Sequence, residues 1–128
     1  MTILKKILYV EDEPDIQAVA RIALEAVGGF EVKICGSGKE AVESAAAFAP
    51  DLLLLDVMMP GMDGPTTLLE LRKQPALAAT PAMFMTAKVQ PQEVAHLKSL
   101  GVVDIIAKPF DPMGLSAQIR ERFERQGK

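Results

Sequence analysis

Asp56 closes the most apolar run of the chain, Leu52-Leu53-Leu54-Leu55, and Val57-Met58-Met59-Pro60-Gly61 follow at once. A carboxylate at the end of a buried strand sits on rigid backbone while its oxygens emerge at the sheet edge. There it can coordinate a cation or attack an electrophile. Glu11 and Asp12 follow a second apolar run, Lys6 to Val10; Thr86 ends a third, Ala82 to Thr86; Lys108 follows a fourth, Val103 to Ala107. Three acids at close quarters repel, so they ionise together only beside a cation. Hard oxygen donors without His or Cys favour Mg²⁺ or a similar ion over zinc. A carboxylate so placed can also act as nucleophile toward a phosphoryl group, giving an aspartyl-phosphate. That transfer is mostly positioning and neutralisation of oxygen charge, which a metal ion and Lys108 can supply. Asp56 is the candidate nucleophile, standing between the paired acids and the lysine.

Each residue taken singly has an ordinary explanation. Glu11 and Asp12 precede a helix, where acids cap free N–H groups and suit the dipole. Thr86 is a β-branched strand residue, Lys108 a loop cation, and Asp56 an acid marking the return of the chain to water. Their coincidence at one edge of an otherwise apolar sheet favours a cation-dependent anion site.

The elements that must position these groups alternate regularly. Strands are expected at Lys6–Val10, Phe30–Cys35, Leu52–Asp56, Ala82–Thr86 and Val103–Ala107. A first helix runs from Pro14 with an apolar stripe of Ile16, Val19, Ala20, Ala23 and Val27, and ends at Gly28-Gly29. Further helices are expected at Lys39–Phe48, Thr66–Lys73 and Pro91–Leu100, with a closing helix facing inward through Leu115, Ile119 and Phe123. Five β-α units without a linker imply an α/β fold: a parallel five-stranded sheet, right-handed crossovers and helices on both faces, a three-layer sandwich. Nearly continuous apolar strands agree, because parallel strands are covered on both sides. In such sheets ligands bind beyond the carboxyl ends of the strands, where the five polar residues gather.

With 128 residues, 49% hydrophobic and 24% charged, the chain has the composition of one globular domain, 1–128. No apolar run approaches the ~20 residues that span a bilayer, and a secretory signal is not expected from its first residues. Cys35 is alone, excluding an internal disulfide. The expected compartment is the cytoplasm, with no membrane partner. A net charge of −3 argues against direct nucleic-acid binding. The basic residues near the C-terminus, Arg120, Arg122, Arg125 and Lys128, are expected to offset a helix dipole.

Four segments, in this order and spacing, resemble the receiver domain of two-component response regulators: Val10-Glu11-Asp12-Glu13-Pro14, Leu55 to Gly64, Met85-Thr86-Ala87 and Lys108-Pro109-Phe110. The resemblance covers nearly the whole chain and implies a flavodoxin-like strand order, 2-1-3-4-5. It implies that Asp56 takes a phosphoryl group from a histidine kinase, a histidine phosphotransfer protein or a small donor such as acetyl phosphate. Asp12, Asp56 and the main-chain carbonyl of Met58 would hold Mg²⁺ (or Mn²⁺), with Glu11 acting through water. Lys108 would contact the phosphoryl group or Asp56, and Thr86 would move toward the phosphoryl oxygen. The Lys108–Pro109 bond is expected to be cis. Output would pass to a downstream protein target or output domain, or through a homodimer, by way of the fourth helix, fifth strand and closing helix.

One position departs from the family. Where it often carries Tyr or Phe, three residues before the lysine, this chain has Ile105, which puts the usual threonine–aromatic readout in doubt. Met58 and Lys88 stand where the family tunes dephosphorylation. A receiver-like adaptor that works without phosphorylation is therefore an alternative. A second is a dinucleotide-binding domain, since Gly36-Ser37-Gly38-Lys39-Glu40-Ala41 fits G-x-G-x-x-A and Asp56 follows at about twenty residues. A turn into the second helix explains those glycines more simply. A dehalogenase-type phosphatase would want a second acid at Met58. His96 is read as a surface residue and the seven methionines mainly as core filler.

Overall fold

The computed structural model describes residues 3–126. Five parallel strands, β1 (Lys6–Val10), β2 (Glu31–Cys35), β3 (Leu52–Asp56), β4 (Ala82–Thr86) and β5 (Asp104–Ala107), form one sheet in the order β2-β1-β3-β4-β5. The helices are α1 (Pro14–Arg21), α2 (Gly38–Phe48), α3 (Gly64–Arg72), α4 (Pro91–Lys98) and α5 (Leu115–Gln126). No helix among the described residues is long and apolar enough to cross a membrane. Lys128 lies outside the described residues.

Alternation along the strands builds two cores. Ile7, Tyr9, Leu52, Leu54, Met83, Met85 and Ile106 pack on the side of α1 and α5, with Leu115, Ile119 and Phe123. Leu8, Val10, Leu53, Leu55 and Phe84 pack on the other side, against Ala41, Ala45, Leu68, Leu71 and Leu97 of α2, α3 and α4. Every residue of β3 and β4 is buried, as their apolar sequences require. Asp51 ties the bottom of the sheet by accepting the N–H groups of Lys5 and Lys6 at 3.0 and 2.9 Å.

The stripe expected for the first helix is corrected. After Arg21 the helix loosens into a π-helical stretch, Ile22–Val27, which rotates the following residues. Ala20, Ala23 and Leu24 are buried, whereas Val19 and Val27 are each 41% exposed. The Ser116 hydroxyl donates to the Ala23 carbonyl at 2.6 Å within this stretch, from α5.

The basic cluster of α5 also differs from expectation. Arg120 donates to the Gly28 carbonyl and lies over the Phe30 ring, Arg122 pairs with Asp104 at 2.6 Å, and Arg125 pairs with Glu121. Arg120 and Arg122 thus tie α5 to its neighbours, while Arg125, paired within α5, stands in the last turn as the dipole expectation has it.

The Gly36-to-Ala41 segment is a helix entrance. Ser37 accepts the Glu40 N–H at 3.1 Å and Glu40 Oε1 accepts the Gly36 N–H at 2.9 Å, the reciprocal logic of a capping box. A Cβ on Gly38 would lie 2.2 Å from Thr67 Oγ1, so that glycine serves α2–α3 packing.

Candidate functional site

The carboxyl edge of the sheet gathers the chemistry-bearing residues that the sequence singles out. Glu11 and Asp12 leave β1, Asp56 ends β3, Thr86 ends β4 and Lys108 follows β5. Carboxylate oxygens of Glu11, Asp12 and Asp56 lie within 4.8 Å of one another. Glu11 is fully buried, Asp56 is 3% exposed and Asp12 is half-buried.

Lys108 crosses from the far edge to bridge two of these acids. Its Nζ donates to Asp56 Oδ1 at 2.9 Å and to Glu11 Oε1 at 3.1 Å. Its N–H donates to the Thr86 carbonyl at 2.9 Å, and the Lys108–Pro109 peptide that follows is cis, as expected. One ammonium among three carboxylates leaves the site short of positive charge. Asp12 Oδ1, buried and without a hydrogen-bond partner, marks where the deficit falls. A buried carboxylate oxygen is satisfied by a donor or a cation, so this donor set fits a hard divalent ion.

The electrostatics follow from burial. Burial raises the Asp56 carboxyl; the Lys108 hydrogen bond opposes this, and the charges of Glu11 and Asp12 add to it, leaving it at about 6 instead of 3.8. Burial pulls Lys108 down, but its bonds to Asp56 and Glu11 outweigh that and hold its ammonium above the ordinary value. Cation and acids therefore depend on each other.

The helix-capping expectation for the early acids is corrected: α1 has no side-chain cap at its N-cap residue, Glu13, and Glu11 serves the turn ahead of it. Glu11 Oε2 accepts the Glu13 N–H at 3.2 Å just ahead of α1, while Glu11 Oε1 faces Lys108. Thr86, 2% exposed, turns its hydroxyl to the Lys88 N–H at 3.0 Å, beside an open cavity of about 340 Å³ lined by Val57, Lys88, Gln92 and His96 among others. His96 is exposed and Met58 is 60% exposed. Ile105 is half-buried and packs toward the α2–α3–α4 core.

One residue of the site escapes a motif search. Tyr9 donates its hydroxyl to Glu11 Oε1 at 3.1 Å from within the core, and burial, reinforced by Glu11, pushes its ionisation far up. Period-two alternation was the available signal, since Tyr9 and Glu11 share a face. Gly64, the last residue of the Leu55-to-Gly64 segment, opens α3. A Cβ there would lie 2.5 Å from the Asp56 carbonyl oxygen and 2.9 Å from Val57 Cα. Only glycine lets α3 begin so close to the acid.

Sheet order and acidic edge together define a flavodoxin-like α/β domain with a lysine-bridged carboxylate pocket. Residues 7–120 match the family model of the response regulator receiver domain, and the chain belongs to that family, a signalling module of two-component systems. It is 35% identical over 124 residues to the DNA-binding response regulator MtrA of Mycolicibacterium smegmatis, covering 97% of this chain and 53% of that protein. It is also 35% identical over 121 residues to the alkaline phosphatase synthesis transcriptional regulatory protein PhoP of Bacillus subtilis, covering 94% and 49%. The chain thus spans about half the length of the curated relatives it matches. Among solved structures, Vibrio cholerae chemotaxis protein CheY4 superposes with a TM-score of 0.84 at 28% identity, over 93% of this chain and 98% of that one. The receiver domain of the Pseudomonas aeruginosa sensor histidine kinase PA1611, solved with magnesium coordinated in its active-site cleft, gives 0.81 at 29% identity over 95% and 99%.

Proposed function

We propose that residues 1–128 form a single receiver domain in which Asp56 accepts a phosphoryl group from a histidine kinase or a histidine phosphotransfer protein. The observation that carries this is Lys108 Nζ, 2.9 Å from Asp56 Oδ1 and 3.1 Å from Glu11 Oε1, beside an unpartnered Asp12 oxygen. An Asp56 oxygen forms a bond to phosphorus as the bond from phosphorus to the donor imidazole nitrogen breaks, and the bonding pair leaves with that nitrogen. Lys108 then meets a phosphoryl oxygen in place of part of its contact with Asp56. Thr86 exchanges the Lys88 N–H for the same group and draws the loop before α4 with it.

Asp12, Asp56 and the Met58 main-chain carbonyl hold Mg²⁺ or Mn²⁺ in this proposal, with Glu11 acting through water. Such an ion, when bound, neutralises charge on the transferred oxygens. The domain promotes its own phosphorylation and dephosphorylation, with Met58 and Lys88 bordering the phosphoryl group. Output leaves through α4, β5 and α5, to a target protein, an output domain or a second copy, in the cytoplasm. Relatives named as DNA-binding regulators are about twice as long, so the acidic charge of this chain argues against nucleic acid for these residues alone.

The test is incubation with acetyl phosphate and Mg²⁺ followed by mass spectrometry. One added phosphoryl group on Asp56 is expected, lost in Asp56→Ala; an unmodified wild-type protein rejects the proposal. The second reading, an adaptor that works without phosphate, draws on Ile105 and gains if partner capture is equal for labelled and unlabelled protein.

A further inference from the structure

We propose that Tyr9 is a positioning residue of the acidic site: its buried hydroxyl holds Glu11, and Glu11 sets where Lys108 stands relative to Asp56. This rests on the phosphoacceptor role of Asp56 and adds a part of the machinery that lies inside the core. The packing of β1 does not call for a hydroxyl. Tyr9 is fully buried among Ile7, Leu52, Leu54 and other apolar residues, where an unpaired phenol would cost stability. Its hydroxyl reaches Glu11 Oε1 at 3.1 Å.

Glu11 is consequently held at both ends. Oε1 accepts from Tyr9 and from Lys108, both at 3.1 Å, and Oε2 accepts the Glu13 N–H at 3.2 Å. The chain of contacts runs from phenol to carboxylate to ammonium to Asp56. Without the hydroxyl, Glu11 Oε1 has Lys108 as its remaining partner, and the ammonium is drawn toward Glu11 at the expense of Asp56. A hydrogen bond to a charged group in a closed site is strong enough for this to matter.

The composition supplies a direct probe. Tyr9 is the single tyrosine of a chain without tryptophan, so tyrosine emission from the protein reports on this one phenol. Any change in what Glu11 faces alters the acceptor of that phenol and hence its emission.

The experiment uses the full chain. Tyr9→Phe is expected to keep a native circular dichroism spectrum but to be labelled by acetyl phosphate and Mg²⁺ about tenfold more slowly, the scale of one hydrogen bond to a charged group. In the wild type, tyrosine emission is expected to change on adding Mg²⁺ with the midpoint that calorimetry gives for Mg²⁺ binding. A merely structural tyrosine would not follow the metal in this way. A wild-type labelling rate in Tyr9→Phe, or flat emission while calorimetry records binding, overturns the role of Tyr9 and leaves the phosphoacceptor proposal standing. A wild-type protein that takes no label overturns both. The emission arm needs no variant, so it decides the matter even if Tyr9→Phe fails to fold.

Discussion

β3 and β5 are both parallel strands of one sheet, and they are built to opposite specifications. β3 is central, pairs on both sides, and buries all five of its residues, Asp56 included. β5 is the edge strand; Asp104 and Ile105 are half-buried, Ile106 is buried and Ala107 is exposed. β3 is held by its ladders to β1 and β4 and by packing on both faces. β5 has one ladder, to β4, and adds charge to it, with Asp104 reaching Arg122 of α5 at 2.6 Å and Lys98 of α4 at 3.7 Å. Partly exposed ion pairs of this kind are worth about 1 kcal/mol or less and exchange partners readily. The molecule thus puts Asp56 on a fully buried central strand and its contacts to α4 and α5 on a half-exposed edge strand with partly exposed ion pairs.

Asp56→Ala gives the sharpest break in this comparison. All label at that position should vanish, while a change on β5 such as Asp104→Ala should leave labelling unchanged; quantitative mass spectrometry of both variants checks it. Equal loss in the two would mean that the strands are not divided in this way.

Gly64→Ala attacks the same end through the backbone. The new methyl would meet the Asp56 carbonyl and Val57 Cα, neither of which can give way cheaply. Overpacking of this sort costs about 1–3 kcal/mol, so urea denaturation should show a clear loss. Labelling should fall as well, because the clash falls on the peptide that carries the acceptor. Gly61, whose φ is +77° with open space around it, should lose stability through backbone strain while labelling nearly normally when changed to Ala.

The pH dependence of stability probes the charge imbalance. In metal-free protein Asp56 sits at about 6, above its ordinary 3.8, chiefly through burial. Between those values the folded state binds more protons than the unfolded state, so stability falls as pH rises through that window. Asp56→Asn removes this cost and should be more stable than wild type near pH 7, by on the order of 2 kcal/mol. The difference should close toward pH 4. Urea titrations at both pH values in the presence of a chelator measure it, and added Mg²⁺ should recover part of the difference for the wild type.

What the sequence makes legible follows the same division. Leu52 to Leu55 and Ala82 to Thr86 read as covered strands because they are continuous apolar runs of strand length, each preceded within two residues by proline. Their ends therefore locate Asp56 and Thr86 without further information. Strand order is not written in periodicity; it came with the family motifs, and the parallel registers agree with it. The stripe of the first helix holds at Ala20 and Ala23 and fails at Val27, where a π-helical stretch breaks the 3.6-residue spacing. Arg120 and Arg122 were misassigned because their partners, Gly28 and Asp104, lie 92 and 18 residues away in sequence. Tyr9 was passed over because a tyrosine in an apolar run looks like packing until its hydroxyl is seen to meet Glu11.

Ile105 carries the smallest expected effect and the most telling one. It stands beside Phe84 across β4–β5 and packs toward the core that includes Leu97 of α4. A branched aliphatic has no ring to exchange between buried and exposed positions. Ile105→Tyr places one on the edge strand, at a half-buried position. Asp56 and Lys108 are untouched by this change, and the labelling rate should stay within about twofold, a fraction of a kcal/mol. Hydrogen exchange in α4 should respond differently. In the wild type, phosphorylation should alter protection in α4 modestly and in proportion to label, whereas Ile105→Tyr should add a change in β5 that tracks the ring. Identical exchange in both proteins would mean that β5 takes no part in the response, and the contrast between the two strands would then be one of packing alone.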